Sequence, residues 1–217
     1  MTKRARTGRL RTWALPFVFL AAGLSAIAIF ALGVTGPAGA GDVKAERPAL
    51  GVSSAQVVIH EYADFQCPSC GAFARSIEPR IRAAYIDTGI ARLVWHDFAW
   101  IGQESRDAAN AARCAGDQGK FWEFHDALYQ NQAGENAGGF SKQRLKAFGD
   151  GFGLEPGAFH GCVDAGKYSD AVQADFADVR QKGFNGTPTF VIGDQRIVGA
   201  QPFEVFAAAI DAAAANH

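Results

Sequence analysis

Past its first dozen residues the chain has no surplus of basic charge. Five of its 21 Lys and Arg fall in that dozen (Lys3, Arg4, Arg6, Arg9 and Arg11), which leaves 16 against 22 Asp and Glu. A nucleic-acid interface needs a basic face, so an acidic remainder argues against one. Cysteine is scarce as well. Of Cys67, Cys70, Cys114 and Cys162, only the first two are close together. A thiolate zinc site needs two more ligands. The other cysteines stand 48 residues apart, and the five histidines show no ligand spacing. No metal or cofactor is expected, and neither an internal repeat nor a low-complexity block is present. At 217 residues and 48% apolar composition, the chain has room for one sizeable domain with a full core.

Charge is missing altogether from residues 13–41, and residues 13–34 are almost wholly apolar. Such a run rises about 33 Å as a helix, enough to cross a bilayer. Behind five positive charges it reads as a membrane segment over 13–35. Residues 1–12 then stay in the cytoplasm and everything beyond is exported. Two forms stay open. A permanent signal-anchor is favoured because secretory apolar regions are usually shorter; a signal peptide cut near Ala38-Gly39-Ala40 would leave a secreted protein. Either compartment permits disulfides. Residues 36–50, rich in Gly, Ala and Pro, read as a tether to a domain over 51–217.

Within that domain, residues 56–65 mix β-branched and aromatic side chains and predict a buried strand. From Pro68 the pattern turns helical, with Phe73, Ile77, Ile81 and Tyr85 recurring every four residues. Pro79 is expected to bend this helix rather than end it. A second strand follows at 90–98, then helical patterns over about 102–182. Residues 189–192 and 196–198 read as strands joined by Gly193-Asp194, a favoured hairpin turn, and a last helix runs over 203–215.

The chemistry gathers where the first strand meets the first helix. A thiol at a helix N-terminus lies beside unpaired backbone N–H groups and the positive end of the helix dipole, so Cys67 should ionise readily. A thiolate is the species that attacks disulfides, and a readily ionised thiol also leaves well. Cys70 lies one turn on and can resolve a mixed disulfide. Pro68 takes the first helical position, where its missing N–H costs nothing. A purely structural Cys67–Cys70 pair is the bland alternative. Further along, Gly186-Thr187-Pro188-Thr189-Phe190 places a proline at the mouth of a strand, a setting that suits a cis peptide bond.

The segments EYADFQCPSC, AARCAGDQGKFWEFHDALY and GTPTFVIGDQRIVGAQPFE together resemble the DsbA-like branch of the thioredoxin superfamily, from about residue 57 to the C-terminus. The resemblance implies an α/β thioredoxin-like fold with a helical insertion between the β-α-β unit and the closing hairpin and helix. It makes Cys67 the nucleophile, Cys70 the resolving thiol and Pro188 a cis proline facing them. Thr187 would offer backbone groups to an extended substrate peptide, beside Pro68 and Ser69. Glu61 falls where such proteins carry a buried acid able to accept the Cys70 proton; a surface strand Glu is the other reading. The resemblance also implies a structural disulfide, Cys114–Cys162, although two free thiols stay open. The chain departs from the family's best-known oxidases at Ser69, where they carry His, which leaves the extent of Cys67 ionisation in question.

Phe121, Trp122, Phe124 and His125 are read as the core-facing side of a helix, and His96-Asp97 as a strand end. The implied function is a monomeric thiol oxidase that passes its disulfide to reduced exported proteins. A quinone-linked membrane partner of DsbB or VKOR type would reoxidise it. An exported reductase or isomerase is the alternative, and a non-catalytic thioredoxin-like binding module the third.

Overall fold

The computed structural model describes residues 47–216. The basic segment, the membrane segment and most of the tether lie outside the described residues. Among the described residues no helix is long and apolar enough to cross a membrane.

The order is β1 (Ala49–Leu50), β2 (Val57–Ala63), α1 (Pro68–Ser76), α2 (Glu78–Ile81), β3 (Ala91–Asp97), α3 (Gln103–Gly116), α4 (Phe121–Gln130), α5 (Lys142–Gly151), α6 (Pro156–Ala165), α7 (Ser169–Gln181), β4 (Thr189–Ile192), β5 (Gln195–Val198) and α8 (Phe203–Ala215). The sheet runs β1-β3-β2-β4-β5. β2 and β3 are parallel, as their helical crossover requires, and β1, β4 and β5 pair antiparallel. This is a thioredoxin-like α/β fold with α3–α7 inserted between β3 and β4.

Strand alternation assigns the two faces of the sheet. Ile59, Leu93, Phe190 and Ile192 pack with Phe73, Ile81 and Phe206 of α1, α2 and α8. Tyr62, pointing the other way, packs with Phe98, Val179 and Phe184. In the insertion, Phe124, Leu128, Leu145, Phe159 and Val163 meet the alanine-rich face of α3 in a core continuous with Phe65, Cys70 and Trp95. A buried ion network ties it to the sheet: Arg113 of α3 contacts Asp97 at the end of β3 and Asp175 of α7. Cys114 and Cys162 form a disulfide joining α3 to α6, with Cα atoms 5.9 Å apart.

Two expectations need correction. The tether does not run to residue 50, because Ala49 and Leu50 pair with Val94 and Leu93 as β1. Two residues carry no readable alternation, and the pairing is dictated by the free edge of β3. Pro79 interrupts the helix rather than bending it. Without an N–H, and with its ring crowding the carbonyl four residues back, Pro79 fits only a first turn. The helix accordingly stops at Ser76 and restarts at Glu78, then closes in a π turn, Arg82–Ile86. Phe73, Ile81 and Ile86 still share one core.

Candidate active site

Cys67 is the N-cap of α1, with extended backbone (φ −66°, ψ 121°), and Pro68 follows at N1. Both cysteines are free thiols and both are buried, Cys67 at 8% exposure and Cys70 at 0%. The Thr187–Pro188 peptide is cis. It carries the Thr187 carbonyl to the active-site thiol, and Cys67 Sγ donates to that oxygen at 3.4 Å. Pro68 is exposed, Ser69 and Thr187 are half-buried and Pro188 is buried; the first two follow Cys67 in the chain, and the Thr187 contact brings the other two to it.

The environment pulls the two thiols apart. A hydrogen bond from Cys70 is the largest influence on Cys67. Burial opposes it, and the interaction with the Thr187 side chain and hydrogen bonds from the Cys70 and Ser69 backbone N–H groups assist, bringing the Cys67 pKa down to about 6. Burial drives the Cys70 thiol well above its ordinary value, and the Cys67 charge adds to the effect. Ser69 thus acts through its backbone N–H. No cation between the cysteines is needed for this depression.

Glu61 lies on β2, on the same face as Ile59 and opposite to Tyr62, fully buried. Neither carboxyl oxygen has a hydrogen-bond partner among the described residues. Burial raises its pKa well above the ordinary carboxylate range; Glu78 and Asp126 push the same way and Arg82 opposes. A buried carboxyl of raised pKa, whose charge is felt at the Cys70 thiol, is suited to exchanging a proton with it.

Three positioning residues escaped the sequence reading. Asp64, three residues before Cys67, accepts from the backbone N–H groups of Gln66 (2.8 Å), Trp100 (2.9 Å) and Ile101 (3.1 Å) and from the Ser105 hydroxyl (2.6 Å). It thereby clamps the loop after β3 to the active-site strand. Gln132, beyond α4, donates to the carbonyls of Phe65 (2.8 Å) and Cys67 (3.0 Å). Trp100, 47% exposed, donates its indole N–H to the Thr187 hydroxyl at 3.2 Å. Their partners lie dozens of residues away, so spacing gives no hint of them. The unusual exposed tryptophan is visible only once the fold is known.

Glu78, His125 and Asp126 each bring a ligand atom within 4.8 Å of the others. That space already holds a cation, because Arg82 bonds Glu78 at 2.6 Å and Asp126 at 3.1 Å. A metal ion would have to displace the guanidinium.

A family model described as Thioredoxin matches residues 44–212. Among curated relatives, the Na(+)/H(+) antiporter NhaA 1 of Salinispora arenicola is 33% identical over 76% of this chain and 24% of that protein. The chain thus spans about a quarter of the length of the first such relatives. Disulfide bond formation protein D of Bacillus subtilis is 28% identical over 70% of this chain and 69% of its own. Among solved structures, oxidised BdbD from Bacillus subtilis superposes with a TM-score of 0.73 at 24% identity, covering 78% of this chain and 93% of that one. That likeness bears on the fold.

Proposed function

Because this chain belongs to the thioredoxin family, in its DsbA-like branch, we propose that it is a thiol–disulfide oxidoreductase donating disulfides to exported proteins through Cys67 and Cys70. The observation that carries the reading is the opposed pull on the two thiols, with Cys67 lowered to about 6 and Cys70 raised.

A client thiolate attacks Cys67 Sγ of the oxidised pair, and the Cys70 thiolate leaves and takes a proton from Glu61. A second client thiolate then attacks the client sulfur of the mixed disulfide and releases the Cys67 thiolate. Low Cys67 pKa stabilises the reduced protein and therefore makes its disulfide oxidising. Thr187 and cis-Pro188 offer backbone to an extended client segment, with Pro68 and Ser69 on the opposite rim. Such contacts read little side-chain identity, which suits a broad set of clients.

On this reading residues 13–35 hold the domain to the outer side of a membrane, or a cleaved leader releases it, and a quinone-linked partner of DsbB or VKOR type restores the disulfide. A Cys114–Cys162 bond suits an oxidising compartment.

The test is the reduction potential of the full chain in detergent, equilibrated against glutathione and read by thiol labelling of Cys67. A value of about −120 to −180 mV is expected of a disulfide donor; about −270 mV would make the protein a reductant instead. A Cys67→Ala chain that kept full cellular function would turn the reading toward a binding module.

A further inference from the structure

A proton passed between Cys70 and Glu61 must still reach solvent. Glu61 is sealed inside, and so are two further polar atoms, Glu78 Oε2 and His125 Nε2. All are buried without a hydrogen-bond partner among the described residues. Topology gathers them. Glu61 stands opposite Trp95 in the β2–β3 pair, on the same face, and the Trp95 ring meets the His125 imidazole edge-on at 5.1 Å between centroids. His125 in turn lies with Glu78 and Asp126 in the cluster described above.

His125 is fully buried, yet its outer nitrogen has an exit. Nδ1 lies 2.8 Å from Asp126 Oδ1. Asp126 is 41% exposed and lines a surface cleft with Ala74, Arg75, Pro79 and Gln130. A carboxylate at that distance fixes the tautomer: Nδ1 carries the hydrogen and donates it, so Nε2 presents a lone pair to the interior. The ring has a proton acceptor facing inward and a proton donor facing outward.

We propose that His125 relays protons between the buried Glu61–Glu78 pair and solvent at Asp126, completing the proton path of the Cys70 thiol. This rests on the reading of Cys67 and Cys70 as an exchange pair. During reoxidation by an external disulfide, the Cys67 thiolate attacks one of its sulfurs and forms a mixed disulfide. Cys70 gives its proton to Glu61, attacks Cys67 Sγ, and expels the oxidant's remaining thiolate. The proton passes by Glu78 Oε2 to His125 Nε2, and Nδ1 releases its own to Asp126. Within the Glu78–His125–Asp126 cluster one polar atom of each residue lies within 4.8 Å of the others, a gap that a small side-chain rotation or one bridging water spans. The ring is left with its hydrogen on Nε2. Once Asp126 has passed its proton to solvent, its carboxylate again favours the hydrogen on Nδ1, and the ring regains that tautomer through water before the next half-cycle. The charged or titratable groups around His125 are Asp126 and Tyr129 of α4 and Glu78 and Arg82 from α2 and the π turn; Glu61 of β2 shares the sheet face of Trp95, which packs on the ring, and its charge is felt at Cys70 of α1.

His125→Phe keeps a ring against Phe65, Trp95 and Tyr129 and removes both nitrogens, and Asp126→Asn blocks the exit at an exposed position. The full chain is mixed with glutathione disulfide in a stopped-flow instrument from pH 5 to 9, in light and heavy water, and mixed-disulfide formation is followed separately from its resolution. In His125→Phe, formation and the Cys67 thiolate absorbance should match wild type. Resolution should slow about tenfold or more, with a larger solvent isotope effect and an altered pH profile. Asp126→Asn should shift in the same direction even if the buried variant folds poorly. Resolution at the wild-type rate in Asp126→Asn and in a folded His125→Phe, with unchanged isotope effects, overturns the relay. A wild-type chain that forms no mixed disulfide overturns the exchange reading itself, and the relay with it.

Discussion

The Trp100 indole donates to the Thr187 hydroxyl at 3.2 Å, joining the loop after β3 to the cis-proline loop that faces Cys67. One face of this indole is open to solvent beside the rim where a client peptide would lie. Trp100→Ala should raise KM for a dithiol peptide several-fold and leave the Cys67 titration unchanged. Trp100→Phe, which keeps a ring but not the hydrogen bond, should fall between. Steady-state oxidation of a fluorescent peptide checks both. Equal KM in all three proteins would detach Trp100 from client binding.

The Cys67 thiolate should titrate near pH 6, read by absorbance at 240 nm in the reduced protein. The sign of its linkage to stability follows from that lowered value. A thiol depressed on folding stabilises the reduced form fully above its unfolded pKa of about 8.5, and the contribution is lost as pH falls through about 6. Reduced wild type should therefore gain stability relative to reduced Cys67→Ala between pH 5 and 9. Denaturant melts at several pH values measure the difference, and a flat difference contradicts the assignment.

Replacing Cys114 and Cys162 together by Ala should lower stability by about 4 kcal/mol, the chain-entropy value for a loop of this length. The reduction potential at Cys67 should not move. Guanidinium melts give the first quantity and glutathione equilibration the second. A large change in potential would mean that the pair takes part in redox chemistry.

Arg113→Met leaves Asp97 as a buried carboxylate without its cation and Asp175 with Arg47 as its remaining partner. Breaking such a network by removing one partner costs about 3–5 kcal/mol. Burial already raises the Asp175 pKa, and its neighbour Asp97 adds to that. Arg113 holds that value down, so without it Asp175 should protonate more readily in the folded state, and the deficit should shrink as pH falls from 7 to 4. A deficit that grew toward acid pH would contradict this account.

Much of the architecture was legible because it rests on local pattern. Apolar residues of β2 and β3 bound the first helix, Gly193-Asp194 marked the hairpin, and helical periodicity ran through the insertion. Cys67, Cys70 and Pro188 carried their own chemical signal. What sequence alone could not show depends on partners brought together from afar. β1 exists because β3 has an open edge. Asp64 gains importance only when Trp100, Ile101 and Ser105 converge on it. His125 lies in an aromatic run whose spacing predicts packing. Its burial fits that reading, but its inward nitrogen and its bond to Asp126 appear only in three dimensions. Pro79 had an ambiguous signal, since an unbroken four-residue period masked the interruption.

The central strand β2 has β3 on one side and β4 on the other, and the second of these neighbours comes from the far end of the chain. Ile59 meets Ile192 only after the whole helical insertion has been made. During synthesis, one edge of β2 and the Cys67 end of α1 must therefore wait, uncovered, until nearly all of the domain has left the ribosome. Closing so long a loop is also entropically slow. The four cysteines emerge in an order that suits this delay. The first two are free thiols in the finished fold, and the last two bond each other, so the one bond of the fold joins cysteines consecutive in emergence. A chain emerging N-terminus first can pair them as they appear and has no bond to undo.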